Sequence, residues 1–394
     1  MVVFHSSRLL LLKPAVKWEG WILGFPLHFH HLCICHWGGQ KLPGMLGLQV
    51  LSKHHLPAAA VLPLCLSAAC VGWALALWRR TRRDTTRLTP PKMSGPVSCV
   101  NGGHRVSPAS KLRDLLADSQ SGIIVMPCCY DALTAKLVER EGFQLTFMTG
   151  FGVSAVHGFA DCQLVSYHEM LESAFRICGS LEGICCIGDG DTGYGNAVNV
   201  KRTVRGYAQA GMAGIMIEDQ VAPKRCGHTK GTTVVPRAEA VARIRAACDA
   251  RDEGQDICIM ARTDARATLG LDEAIARCVA FVEAGADITF LEAPRSEEEM
   301  KRYCQEVPGY KMVNMLPSGK TPFLSHQRLH DLGFAIAAYP LSLLSAGLKA
   351  QQAALQSLQT NGSVDRGLEL DFDHLKDIVG FNHYYTEEDR YRTS

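Results

Sequence analysis

Eight short apolar segments, each followed by an amphipathic helical stretch, run between residues 109 and 394 and predict an α/β protein folded as a (β/α)8 TIM barrel. Three observations carry that reading. Strand-then-helix alternation implies parallel pairing through right-handed crossovers, and eight such units close on themselves. Polar residues cluster just past the strand ends, which a barrel gathers around one opening. The segment that ends the first strand, Met126-Pro127-Cys128-Cys129-Tyr130-Asp131, is not glycine-rich, which argues against a doubly wound open sheet with a phosphate loop there.

In chain order, residues 93–108 read as a polar linker and Ala109 to Asp118 as an opening helix. The first strand is Ile123–Cys129. The second, Leu145–Thr149, leads into Gly150, and the third, Ile184–Gly188, into Asp189 and Asp191. The fourth, Gly214–Ile217, precedes Glu218 and Asp219, and the fifth, Ile257–Ala261, precedes Arg262 and Asp264. The sixth, Ile288–Leu291, leads into Glu292; the seventh, Lys311–Asn314, ends on Asn314; Phe334–Ala338 is the eighth.

Composition breaks near residue 92. The segment 1–92 holds all five tryptophans and eleven Lys and Arg against two acids, Glu19 and Asp84. Its surplus of nine positive charges leaves the remainder seven negative, given the formal +2 of the whole chain, so the main body offers no nucleic-acid surface. Leu56 to Trp78 is uncharged and apolar, closed by Arg79-Arg80-Thr81-Arg82-Arg83, and is long enough to cross a bilayer, although Pro57 and Pro63 weaken its first half. Three readings stay open for this leader: a plastid or mitochondrial targeting segment that is removed, a membrane anchor, or an extension ahead of a start at Met93 that leaves the barrel cytoplasmic. Membrane contact is expected only where 56–78 is retained. Twelve of the sixteen cysteines lie in 93–394, mostly in apolar runs (Cys185, Cys186, Cys258, Cys278), as small hydrophobes of a reducing compartment rather than a disulfide set. Cys33 and Cys35 near His30, His31 and His36 read as an incidental cluster.

The chemistry sits at the strand ends. In Gly188-Asp189-Gly190-Asp191-Thr192-Gly193, two carboxylates at i and i+2, flanked by glycines, suit a hard cation held by oxygen. Asp161, Glu218 and Glu292 are candidates to complete that shell. A lone Asp-x-Asp is more often a solvated turn, but acids at successive strand ends shift the balance. Beyond Glu218, the loop Lys224-Arg225-Cys226-Gly227-His228 places cations beside a thiol, which lowers its pKa and attracts an anionic substrate; the bland alternative is an exposed basic loop with an incidental cysteine. Gly227 and the position beyond a barrel strand suggest a loop that closes over substrate. Arg262 at the fifth strand end suits a two-pronged grip on a carboxylate, or a rim ion pair with Asp264 or Glu292.

Thr149-Gly150-Phe151-Gly152-Val153-Ser154, DGDTG at 189–193, IEDQ at 217–220, KRCGH at 224–228, ARTDA at 261–265 and LEAP at 291–294 together resemble the isocitrate lyase and phosphoenolpyruvate mutase superfamily. The resemblance runs from Ser110 to Asn382 and is to its short branch: 2-methylisocitrate lyase, plant petal death protein and carboxyvinyl-carboxyphosphonate phosphorylmutase. It implies a Mg2+ enzyme, with Mn2+ the alternative, whose last helix is exchanged within a homotetramer. Asp189 would bind the metal directly, with Asp161, Asp191 and Glu218 acting largely through water. Thr149, Gly150 and Phe151 stand where the family holds a substrate carboxylate. Arg262, Glu292 and Asn314 fall on substrate-contact positions, as does Gly227 in its loop, with Ser318 and Thr321 near the second carboxylate. Cys226, in its setting of Lys224, Arg225 and His228, matches the family acid.

The implied activity is a carbon–carbon lyase of the oxo-acid type, cleaving a 2-alkylmalate or 2-methylisocitrate-type di- or tricarboxylate by retro-aldol chemistry. Phe147 replaces a tyrosine of many lyase relatives and cannot accept a proton, so the base that takes the hydroxyl proton stays open. Three alternatives remain: an oxaloacetate decarboxylase or hydrolase, a phosphonate mutase, which is expected to lack the loop cysteine, and a non-catalytic membrane-tethered barrel.

Overall fold

The computed structural model describes residues 106–393 apart from His228 and Lys230. The leader, its 56–78 run, the Cys33/Cys35 cluster, almost all of the linker and the expectation for His228 lie outside the described residues.

The strands are β1 Ile124–Cys129, β2 Leu145–Met148, β3 Cys185–Asp189, β4 Gly214–Glu218, β5 Cys258–Thr263, β6 Ile288–Leu291, β7 Tyr310–Asn314 and β8 Ile336–Tyr339. All pair in parallel in sequence order, and β8 returns to β1 with Ile336 opposite Ile124, so the sheet closes. Each strand is covered on both faces, which is why it reads as a continuous apolar run. The two-residue period nevertheless sorts the side chains. Cys185, Ile187, Met216, Cys258 and Met260 pack inside the barrel, while Cys186, Ile215, Ile217, Ile259 and Ala261 face the helices.

β3, β4 and β5 run further than their apolar segments, through Asp189, Glu218 and Thr263. Their last residues are polar but still paired: Glu218 lies opposite Arg262, and Thr263 opposite Leu291. β8 begins later than its apolar run because Gly333, at φ 104°, caps the preceding helix and sets Phe334 into the core.

Helix α1, Pro108–Asp118, closes the N-terminal mouth. Its Leu112 and Leu116 are buried against the barrel interior, each worth roughly 1.5–3 kcal/mol. Ser107 caps it by accepting from the Ser110 amide. The C-terminal end therefore remains as the open one. Beyond β8 come α2, Ser342–Asn361, α3, Phe372–Val379, and α4, Phe381–Arg390, in which Leu344 alone is buried among the described residues.

Candidate active site

The C-terminal ends of the strands surround a cavity that opens to solvent. Its inner wall is apolar: Cys128 and Phe147 from β1 and β2, Met216, Phe290 and Met312 from β4, β6 and β7. Thr149, Phe151, Asp161 and Asp189 line one side of the rim, Arg262, Glu292 and Asn314 another, and Lys224, Cys226 and Gly227 the loop above.

Short-range geometry fixes the acids. Asp189, at the end of β3, accepts from the amides of Gly150 and Asp191 at 3.1 Å each. Gly150 must be glycine here, since a Cβ would come within 2.7 Å of the Asp189 carboxylate. Asp191, at φ 48°, accepts from the Tyr194 hydroxyl at 2.7 Å. Lys224 reaches down from the loop to Asp161 at 2.5 Å and Asp191 at 2.9 Å, with its side chain only 4% exposed. Burial would strip the Lys224 charge, but Asp191, Asp189, Asp161 and Glu218 outweigh it and hold the ammonium well above its usual range. Burial, reinforced by Asp189, pushes Asp191 up to about 6 against the pull of Lys224. Lys224 thus directs its charge to the acid cluster, whereas its sequence position suggested the thiol.

Arg262 forms a second centre. Its guanidinium is bidentate to Asp264 at 2.8 and 2.9 Å, lies 3.3 Å from Glu218 and 3.2 Å from Glu292, and stacks 5.4 Å from the centre of the Phe290 ring. Asn314 donates to Glu292 at 3.3 Å. Burial first, then the charges of Asp264 and Asp189, push Glu218 well above the usual carboxylate range. No hydrogen-bond donor meets either of its oxygens, although Arg262 is close enough for an ion pair. Among the described residues no three His, Cys, Asp or Glu converge tightly enough to grip an ion directly. An all-oxygen donor set with Asp161, Asp189 and Glu292 at the cavity and hydrogen-bonding capacity left on Glu218 fits a hard cation that keeps most of its waters.

Other expected residues lie around this centre. Arg225 is exposed, and its backbone amide and carbonyl are both held by Gln220. Ser318 is exposed on a turn at φ 59°, while Thr321 is buried with no hydrogen-bond partner at its hydroxyl. Several supporting residues were not singled out from sequence. Gln220 clamps the Arg225 amide and carbonyl at 2.9 and 2.8 Å, and Gln163 accepts from the Lys224 amide at 3.0 Å. Asp219 accepts from the Asp264 amide, the Thr263 hydroxyl and buried Arg277 at 2.9, 2.6 and 3.0 Å, which fixes the turn that carries Arg262 and Asp264. The arrangement can hold a small anion carrying more than one carboxylate against a fixed guanidinium, beside acids suited to a cation and beneath a thiol.

A family model described as phosphoenolpyruvate phosphomutase matches residues 112–359. The 2,3-dimethylmalate lyase of Eubacterium barkeri is 44% identical over 289 residues, 72% of this chain and 98% of the relative. The petal death protein of Dianthus caryophyllus is 36% identical over 276 residues, 69% of this chain and 86% of the relative. A crystal structure of 2,3-dimethylmalate lyase matches with TM-score 0.69 at 36% identity, over 73% of this chain and 96% of that one. An oxaloacetate acetylhydrolase in complex with 3,3-difluorooxalacetate matches with TM-score 0.69 at 33% identity, over 72% and 97%. A phosphonopyruvate hydrolase in complex with oxalate and Mg2+ matches with TM-score 0.64 at 27% identity, over 72% and 99%. Likeness of that extent, spanning the whole barrel and its rim, makes this chain a member of the PEP mutase/isocitrate lyase superfamily, with relatives named as lyases.

Proposed function

We propose that the chain is a Mg2+-dependent carbon–carbon lyase that cleaves a 2-alkylmalate, a 2,3-dialkylmalate or a 2-methylisocitrate-type 2-hydroxy acid into a 2-oxo acid and a carboxylic acid. The observation that carries this reading is the meeting of Cys226 with Arg262, Asn314 and Asp189 around one cavity. Asp189, with Asp161, Asp191 and Glu218 around it, would hold Mg2+, which when bound would supply a Lewis acid for the substrate's hydroxyl and adjacent carboxylate.

The rest falls to the chain's own residues. Arg262, held rigid by Asp264, sits where it can take a substrate carboxylate and offset the charge that develops on the departing fragment. As the hydroxyl proton passes to solvent at the cavity mouth, the carbinol carbon becomes the carbonyl of the 2-oxo acid, its bond to the neighbouring carbon breaks, and the electron pair of that bond becomes a carboxylate-stabilised enolate. Cys226 then delivers its proton to that carbon. Phe147 is a wall of the cavity and takes no proton. With Phe151, Leu316 and Leu341 it gives the cavity an apolar side suited to an alkyl substituent.

The test is the full-length chain with Mg2+ against a panel of 2-alkylmalates, 2,3-dimethylmalate, 2-methylisocitrate, oxaloacetate and phosphoenolpyruvate. Release of 2-oxo acid from a hydroxy acid is expected, with Cys226→Ser slower by roughly 10^2- to 10^4-fold. Absence of cleavage across the panel, with Cys226→Ser altering nothing, sinks the lyase reading. Similarity to an oxaloacetate acetylhydrolase supports oxaloacetate as the second candidate, which oxalate release would identify. We further propose assembly of identical chains, supported by the exposed Leu355, Phe372, Phe381 and Tyr384 of the C-terminal helices; light scattering at monomer mass overturns it.

A further inference from the structure

We propose that Lys320 is a positioning residue for Cys226, pinning the far side of the thiol-bearing loop across the barrel mouth. Lys320 belongs to the loop after β7, while Cys226 follows β4 on the opposite side of the barrel. The Lys320 ammonium donates to the Gly227 carbonyl at 3.0 Å, joining residues 93 positions apart.

The value of that contact follows from how the rest of the loop is held. On the near side of Cys226, Lys224 is anchored through its side chain to Asp161 and Asp191 and through its amide to Gln163. Arg225 is held at both backbone groups by Gln220. Immediately beyond Cys226, the contact from Thr229 to the Cys226 carbonyl lies within the loop itself and cannot fix it to the barrel. The Lys320 bond does. It draws down Gly227, whose Cα already rests on Glu292, Arg262 and Asp264 so closely that no Cβ fits. Cys226 is therefore clamped between two anchors, one on the β3 side of the mouth and one on the β7 side. The second anchor is carried by the loop that also holds Ser318 and Thr321, so a rearrangement there on binding is transmitted to the thiol.

Full-length wild type, Lys320→Met and Lys320→Arg are to be alkylated with iodoacetamide, following Cys226 and the exposed Cys162 by peptide mass spectrometry. Loss of one charge-assisted hydrogen bond predicts a roughly tenfold faster reaction at Cys226 in Lys320→Met. Cys162 reactivity and the thermal midpoint should stay put, and Lys320→Arg should restore slow alkylation. An unchanged Cys226 rate overturns the proposal. So does a parallel rise at Cys162, which would report general loosening. The kinetic arm rests on the lyase reading: with a panel substrate, Lys320→Met should lose kcat about tenfold while KM hardly moves, and a loss confined to KM would make Lys320 a substrate contact instead. Alkylation reads the loop whether or not any acid is cleaved, so failure of the lyase reading and failure of the clamp are separate results.

Discussion

Gly227→Ala tests how closely the loop must sit on the barrel. A Cβ at Gly227 would lie 2.6 Å from Glu292 Cγ, 2.7 Å from an Arg262 guanidinium nitrogen and 2.7 Å from an Asp264 carboxylate oxygen. Something has to move. Arg262 and Asp264 are poor choices, since they are locked to each other by two hydrogen bonds and Arg262 also faces Glu218 and Glu292. The loop is softer, with Arg225 and Thr229 exposed, so it lifts and takes Cys226 with it. Overpacking of one methyl costs about 1–3 kcal/mol, and here the cost falls on the closed arrangement alone, because an open loop escapes the clash. That is a loss of roughly 5- to 150-fold in the closed population, to be read as kcat for 2-oxo acid release from the best panel substrate. The thermal midpoint should hold. Gly227→Ala turning over within twofold of wild type would refute the close seating of the loop, and with it the case that Cys226 works from that seat.

Three further outcomes are expected. Arg277 is 2% exposed and neutralises Asp219 at 3.0 Å, so Arg277→Met should lower stability by about 3–5 kcal/mol in a urea titration, with part recovered in Asp219→Asn/Arg277→Met; a loss under about 1 kcal/mol would refute the pairing. Glu273 is held below the usual carboxylate range, first by the hydrogen bond from Arg237 and then, against burial, by that from Arg277. Folding therefore favours its charged form, and the stability it adds is complete above its ordinary value of 4.5 and lost as pH falls through its depressed folded value. Glu273→Gln should accordingly flatten the fall in urea midpoint below pH 4.5, and an unaltered acid limb would count against the assignment. Finally, Mg2+ at a hundredfold its dissociation constant should stabilise the full-length chain by about 2.7 kcal/mol in a thermal scan, and Asp189→Asn should abolish that gain. An identical Mg2+ response in Asp189→Asn places the ion elsewhere.

How far this site was legible depends on distance along the chain. Asp189, Glu218, Arg262, Glu292 and Asn314 could be found because each sits at a strand end, and closure of the barrel, itself readable from eight apolar runs, brings strand ends together. Lys224 was found but misaimed: its partners Asp161 and Asp191 are 63 and 33 residues away, and nothing local says that a lysine beside a cysteine will reach past it. Asp219 was passed over for the opposite reason, as one more acid beside Glu218. Yet the period of two already separated the neighbours. Met216 and Glu218 point into the barrel, so Asp219 must share the outward face of Ile215 and Ile217, as Thr263 shares that of Ile259 and Ala261. An acid on a face packed by helices needs a buried cation, and Arg277, within the apolar run of its helix, is that cation. The inward residues make the site and the outward pair holds the turn that aims Arg262, so alternation along two strands divides the roles between adjacent side chains.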